Sequence, residues 1–581
     1  MPAQQPKRRK AFARRSRTGC RTCRIRHVKC DETPGQCRNC RSSGWRCEGY
    51  ELNRLPRRSD LPLQPLATGF HWAMTADERR CVAFFLSRTV ESLTSFYDSS
   101  LWRQLVLQMS CTEPAVYHAV VALSAVNQDL ERHGIPMPGT SARSPWHRFA
   151  LEQSMRSFGL LNKRHIVQDP QLREVLLVCC LLFIMMELAR GHFDNATMHL
   201  QSGLAILKEM GVQRRMLAAA RGPVEDELLE AFLQLESQAA QQGVLQPLLH
   251  FDSQIVHELH YGEYLYEFRD VRGLQRALVP LVNTGFPFLE RCWGRSPADL
   301  MAEYGVLHAQ QQRLLSCLYQ FGAHLARFRK STYDWLSSKD QRGADMVKLM
   351  LLTLLLSIKT ALQAGGDPGS MDFIEDYEEL FSRALAVIAQ FNQHPLMTID
   401  AAICPALFMV AARCPDYGLR LQAIDFLRSW AHCEGFFNSL LIADLVVEGM
   451  KSELRYVRDV VYTTGSPPPA GLSFETRGQG EILVHMRDRT SKGHRVLSLE
   501  PNERLAATLS SIPSARYWPC VREFGIQLHP TSSDNDYGSE EESLVNAYRV
   551  ESSQQDDSSP APAKGCCHPR LDGDAGEDEQ P

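Results

Sequence analysis

Residues 20–47 read CRTCRIRHVKCDETPGQCRNCRSSGWRC. Their six cysteines, Cys20, Cys23, Cys30, Cys37, Cys40 and Cys47, follow the spacing C-x2-C-x6-C-x6-C-x2-C-x6-C, one C-x2-C-x6-C unit used twice. A C-x2-C pair brings two thiolates to one metal from a single tight turn. A third cysteine seven residues on returns to that metal after about two helical turns. Zinc takes four ligands in a tetrahedron at about 2.3 Å, so two ions need eight sulfur positions. Six cysteines fill them only if two thiolates bridge, and Cys20 and Cys37, equivalent in the two halves, suit that role. A disulfide framework requires an oxidising compartment, of which the sequence carries no sign. A single zinc on four cysteines leaves the duplicated spacing unexplained.

Charge points outward from the same stretch. The chain has 581 residues and a formal net charge of −3, yet residues 1–50 hold 14 Lys plus Arg against 3 Asp plus Glu. A basic module on an acidic remainder implies a polyanion as the module's partner. A hydrophobic content of 44% is enough for a sizeable core, and the length calls for several domains or one large body.

The stretch resembles the binuclear zinc cluster (Zn2Cys6) DNA-binding module of fungal transcription factors. All six ligand positions are filled at permitted spacings, and Pro34 lies in the loop between the third and fourth cysteines, as in the family. The resemblance implies two zinc ions per module, bridged by the first and fourth cysteines, and double-stranded DNA as partner. It places a recognition helix between the second and third cysteines, expected here over Arg24–Lys29. Where the family usually carries Lys or Arg as a base contact to a CGG triplet, this chain has His27. Arginine reads guanine bidentately, whereas histidine offers a single donor. Arg26 and His27 are therefore expected at base edges, and Arg21, Arg24, Lys29, Arg38 and Arg41 at phosphates.

Flanking segments extend the reading. Residues 1–19 form a basic, hydrophobe-poor arm, expected to be disordered. Lys7, Arg8, Arg9, Lys10, Arg14, Arg15 and Arg17 are read there as a nuclear localisation signal that also meets phosphates. The DNA-binding domain is expected over 20–50. Residues 51–69 are a linker in which Pro56, Pro62 and Pro65 forbid a continuous helix. No heptad repeat follows the cluster, so the module binds alone or dimerises through the body.

Residues 70–460 read as an all-helical body. Thr75 and Glu78 form a capping box. Thr112 with Pro114 opens AVYHAVVALSAVNQDL and Gly134 closes it; Ser144-Pro145 and Asp169-Pro170 start further helices, and Asp194 is expected to cap ATMHLQSGLAILKEM. The run VLLVCCLLFIMM at 175–186 is too short to span a bilayer and suits a buried core helix. Cysteines such as Cys179, Cys180, Cys317 and Cys404 lie in apolar helical stretches and read as reduced, buried thiols. Stretches 100–128, 192–207 and 396–439 resemble, in that order, the helical regulatory domain of fungal zinc-cluster factors.

Residues 461–530 are expected to be a mixed extension. Pro467, Pro468 and Pro469 make 465–481 a loop, and ILVHM at 482–486 is the best strand candidate. Residues 531–581 hold 13 Asp plus Glu against 3 Lys plus Arg and bury too little to order themselves. With Leu544, Val545 and Tyr548 among the acids they read as an acidic activation tail or as a solubilising one. Cys566 and Cys567 in it need not bind metal.

A phosphate-binding loop, a G-x-S-x-G elbow and an H-E-x-x-H site are all missing from the sequence, so no enzyme is expected. His257, Glu258 and His260 read as solvated or structural residues. Met185, Met186, Met198 and Met210 read as helix core. No signal peptide is visible at the N-terminus. The fold expected is mainly α: a small zinc module, a linker, a large helical body and an acidic tail. The function expected is a nuclear, zinc-dependent, sequence-specific transcription factor acting on RNA polymerase II genes. Its partners are DNA and the transcription machinery or co-regulators, with a homodimer through the body also allowed and no membrane. The competing reading is a helical interaction scaffold with weak, non-specific nucleic-acid binding.

Overall fold

Cysteine side chains, not apolar ones, start the first two helices. The Cys20 thiol sulfur accepts the Cys23 N–H (3.4 Å) and opens helix Arg21–Ile25; the Cys37 sulfur accepts the Cys40 N–H (3.2 Å) and opens helix Arg38–Ser42. The duplicated sequence thus folds as a duplicated N-cap. In the computed structural model of the protein, the described residues are 18–50, 55, 72, 74–139, 144–164, 171–210, 223–243, 268, 270–293, 295, 297–362, 372–469, 471–478, 481–487 and 494–528. The arm signal Lys7–Arg17, the linker prolines, Asp169-Pro170, the His257–His260 cluster and the acidic tail lie outside them.

The body is a succession of packed helices. Helix Ala76–Phe84 opens on the expected capping box: Thr75 Oγ1 accepts the Glu78 N–H and a Glu78 carboxylate oxygen accepts the Thr75 N–H. Helix Pro114–His133 packs on both Pro145–Leu161 and Leu172–Arg190, and Leu172–Arg190 packs on Phe193–Glu209. Gly134 ends the first at φ 79° and Ser144 Oγ caps the second through the His147 N–H. Helix Leu172–Arg190 is buried on all sides from Leu177 to Arg190, as its unbroken apolar run requires. A further core joins helices Val271–Cys292, Ser338–Thr360, Ile374–Ile388, Ile403–Arg413 and Ser439–Thr464. No helix among the described residues is long and apolar enough to cross a membrane.

Three local expectations are corrected. Thr112 ends helix Val106–Thr112 and bonds back to the Gln108 and Met109 carbonyls, so Pro114 alone starts the next helix, after Glu113. Asp194 sits inside helix Phe193–Glu209 and accepts the Ser514 N–H (3.3 Å), 320 residues on; long-range pairing outcompetes local capping. The loop expected over 465–481 contains strand Leu472–Thr476, which pairs antiparallel with Ile482–Arg487, itself paired with His494–Ser498. The strand expected over 482–486 is the centre of that sheet. Of the methionines, Met185 and Met186 are core, whereas Met198 is 37% exposed.

A second, minimal sheet closes the body's core. Met397–Thr398 runs parallel to Cys433–Glu434, which pairs antiparallel with Phe437–Asn438. Gly435 turns that hairpin at φ 52°, and a Cβ there would fall 1.7 Å from the Gln238 amide oxygen. Only glycine fits both constraints.

Candidate functional site

The six cysteine sulfurs converge. Cys20 Sγ lies 3.6 Å from Cys37 Sγ and 3.7 Å from Cys40 Sγ, and Cys23 Sγ lies 3.6 Å from Cys37 Sγ. Sulfurs at about 2.3 Å around a tetrahedral zinc stand about 3.8 Å apart. Two groups of four form, Cys20, Cys23, Cys30, Cys37 and Cys20, Cys37, Cys40, Cys47, each with sulfurs within 4.8 Å of one another. The members they share are Cys20 and Cys37, the pair that the counting of ligands makes bridging. The donor set therefore fits two zinc ions, which the cluster binds. Burial pushes the Cys20, Cys23 and Cys37 thiols up. At Cys30 and Cys47 burial acts the same way but is outweighed by backbone N–H donors, which hold both thiols below the usual range.

The first helix is shorter than expected and lies earlier. It spans Arg21–Ile25, not Arg24–Lys29, because the chain must turn to bring Cys30 back: the Val28 N–H returns to the Cys23 carbonyl (3.0 Å) and His27 adopts φ 56°. Histidine enters this left-handed region more readily than most residues. The Asp31 carboxylate then accepts the Arg38 and Asn39 N–H groups at 3.0 and 3.1 Å and seats the second helix.

The seven expected DNA contacts divide into two faces. His27, Lys29, Arg38 and Arg41 are exposed. Arg26 is half-buried; its guanidinium lies 4.7 Å over the Trp45 ring and donates to Ser43 Oγ (2.7 Å). Trp45, 55% exposed and unremarked in the sequence, thus holds Arg26 in place. Arg21 and Arg24 face the other way, toward the body. Arg21 is buried, and its Nε and Nη2 donate to Glu78 Oε1 at 3.1 and 3.0 Å, while Nη1 pairs with Glu48. Arg24 approaches Asp77 at 3.9 Å.

Glu78 is wholly buried and does two jobs. Besides capping its own helix, it accepts from the Arg21 fork and from the Tyr117 hydroxyl (3.3 Å). Burial raises its carboxyl, but the Arg21 charge and hydrogen bond, the nearby His118 and the Thr75 N–H together outweigh burial and hold it below the usual carboxylate range. His118, beside Tyr117 and bonded through Nδ1 to Gln153 Oε1 (2.7 Å), is pushed down to about 4 by burial. Spacing alone gives no sign of the Arg21–Glu78 contact, because its partners are 57 residues apart.

The body also holds a cavity of about 150 Å³, lined by Phe286, Trp293, Met350, Phe408 and Met409 with the amides of Gln234 and Gln238.

Residues 18–57 match the fungal Zn(2)-Cys(6) binuclear cluster domain and residues 80–246 the fungal specific transcription factor domain. The chain is 25% identical over 373 residues to the aspercryptin biosynthesis cluster-specific transcription regulator atnN of Emericella nidulans, covering 59% of each protein. It is 27% identical over 204 residues to the transcription regulator lscL of Purpureocillium lilacinum, covering 32% of this chain and 48% of that one. Over 64 residues, 11% of this chain and 13% of the other, it is 54% identical to the transcriptional regulatory protein moc3 of Schizosaccharomyces pombe. The chain thus spans about half to three-fifths of the length of the first two relatives. No solved structure matches.

Proposed function

On the matches to the fungal zinc-cluster and transcription factor domains, we propose that the chain is a nuclear, sequence-specific DNA-binding protein that regulates RNA polymerase II genes through a short, CGG-related site. The observation that carries this reading is the open basic face beside the sulfur cluster, with Arg26 pre-positioned by Trp45 and Ser43. Arg26 and His27 read base edges from it. Lys29, Arg38 and Arg41 meet phosphates and supply affinity that falls with salt. Arg21 and Arg24, turned to Glu78 and Asp77, anchor the module to the body. The basic arm directs nuclear import, and the acidic tail meets co-regulators or the transcription machinery.

The test compares two substitutions on the open face. Arg26→Ala is expected to weaken binding to the selected site by about 1–3 kcal/mol and to relax one base position. Lys29→Ala is expected to weaken binding evenly across sequences and to reduce the salt slope by about 1. Equal, sequence-blind losses from both would instead favour the interaction scaffold.

A further inference from the structure

Outside the cysteine cluster, the small sheet of the body brings Cys404, His432 and Glu434 together in a fully buried group. Their ligand atoms lie within 4.8 Å of one another. His432 Nε2 stands 3.5 Å from Cys404 Sγ and 3.5 Å from Glu434 Oε1.

The surroundings fix which atoms face inward. His432 Nδ1 lies 2.7 Å from the Trp430 carbonyl, so in the neutral ring it carries the proton and Nε2 presents a lone pair. The Trp430 ring stacks on the imidazole at 3.8 Å and holds its plane. Glu434 Oε2 accepts the Ala402 and Cys404 N–H groups at 3.1 and 2.9 Å, which accounts for the start of helix Ile403–Arg413. Glu434 Oε1 is buried with no well-formed hydrogen bond, the Cys404 thiol being the donor beside it. Two acceptors, the imidazole lone pair and the Oε1 lone pair, thus face each other, and the Cys404 thiol has one proton to share between them. A buried carboxylate oxygen without a well-formed hydrogen bond is costly, and a cation in the gap satisfies all three groups at once.

We propose that Cys404, His432 and Glu434 bind a zinc-class divalent cation as a third, structural metal site of this chain. Thiolate and imidazole donors suit zinc over harder cations. The spacing agrees: sulfur at about 2.3 Å and nitrogen at about 2.0 Å around a tetrahedral zinc stand about 3.5 Å apart. Charge balances too, since one thiolate, one carboxylate and one dication sum to zero in a dry interior. Loading releases the thiol proton to solvent, and the fourth position is left to a water. The Trp430 carbonyl and the two helix N–H groups are the supports that orient ligands in such sites.

The test counts metal in the full-length chain purified with zinc present, by elemental analysis against protein concentration. Three zinc ions per chain are expected. Cys404→Ser and His432→Gln are each expected to remove one ion while leaving specific DNA binding intact. Cys37→Ser is expected to leave one ion, with a thiolate-to-cobalt charge-transfer band on cobalt substitution that Cys404→Ser then abolishes. The loss of one ion on Cys404→Ser stands whatever number the cysteine cluster holds, so the two readings fail separately. Should Cys404→Ser not fold, the unsubstituted chain decides: a count of two, with no cobalt band in Cys37→Ser, overturns the proposal and leaves the gap to a second proton.

Discussion

In the N-terminal module the core cluster is built of cysteines; in the body it is built of leucines, valines, alanines and aromatic rings. The difference follows from size. A chain of about 40 residues or fewer buries too little apolar surface to fold alone and needs metals or disulfides. The module therefore uses its sulfurs both as metal ligands and as helix caps, and spends its remaining side chains on an open basic face. The body has enough chain to bury helix Leu172–Arg190 on all sides from Leu177 onward. The two meet at Arg21 and Glu78, where each contributes a buried charge.

Removing a bridging sulfur breaks the comparison most severely. Cys37→Ser is expected to release both cluster zincs, since Cys37 belongs to both groups of four. Structural zinc sites contribute about 10–16 kcal/mol to folding. The module should unfold while the helical circular-dichroism signal of the body persists. Retention of one tightly bound cluster zinc with intact DNA binding would refute the bridging role.

Breaking the junction comes next. Glu78→Ala leaves the Arg21 charge buried without its main partner, and breaking such a pair costs about 3–5 kcal/mol. Limited proteolysis between module and body should accelerate, with zinc content unchanged. A double-mutant cycle with Arg21→Ala should return a coupling well above that of an exposed ion pair; additive effects would mean that the two do not meet in solution.

A pH scan sharpens the same junction. His118 is pushed down to about 4, so the folded protein takes up its proton later than the unfolded chain. Stability is thus lost as pH falls from about 6.5 to about 4, on the order of 3 kcal/mol from this group. Glu78, also held low, keeps its contribution above its ordinary carboxylate value and loses it as pH falls further. Thermal melts of the unsubstituted chain and His118→Gln should diverge in that window. Parallel curves would place His118 outside the buried cluster.

Much of this was legible because it is local. Cysteine spacing encodes metal geometry within 28 residues, and the capping box at Thr75 and Glu78 encodes a helix start within four. The apolar run at 175–186 announced its own burial. What escaped was long-range. Asp194 reads as a cap until Ser514 competes for it, and Arg21 reads as a phosphate contact until Glu78 arrives from another helix. Glu78 itself shows why: one carboxylate serves a local motif and a distant charge, and only the first leaves a pattern in sequence. The shift of the first helix to Arg21–Ile25 has a similar cause, since the return of Cys30 to the cluster overrides the helical tendency of the residues before it.

The most direct measurement is an unbiased selection of DNA sites by the zinc-loaded full-length chain, repeated with Arg26→Ala. The unsubstituted chain is expected to enrich a short CGG-related sequence, and the variant to relax one base position. Binding that enriches no sequence and fades steeply with salt would contradict this expectation.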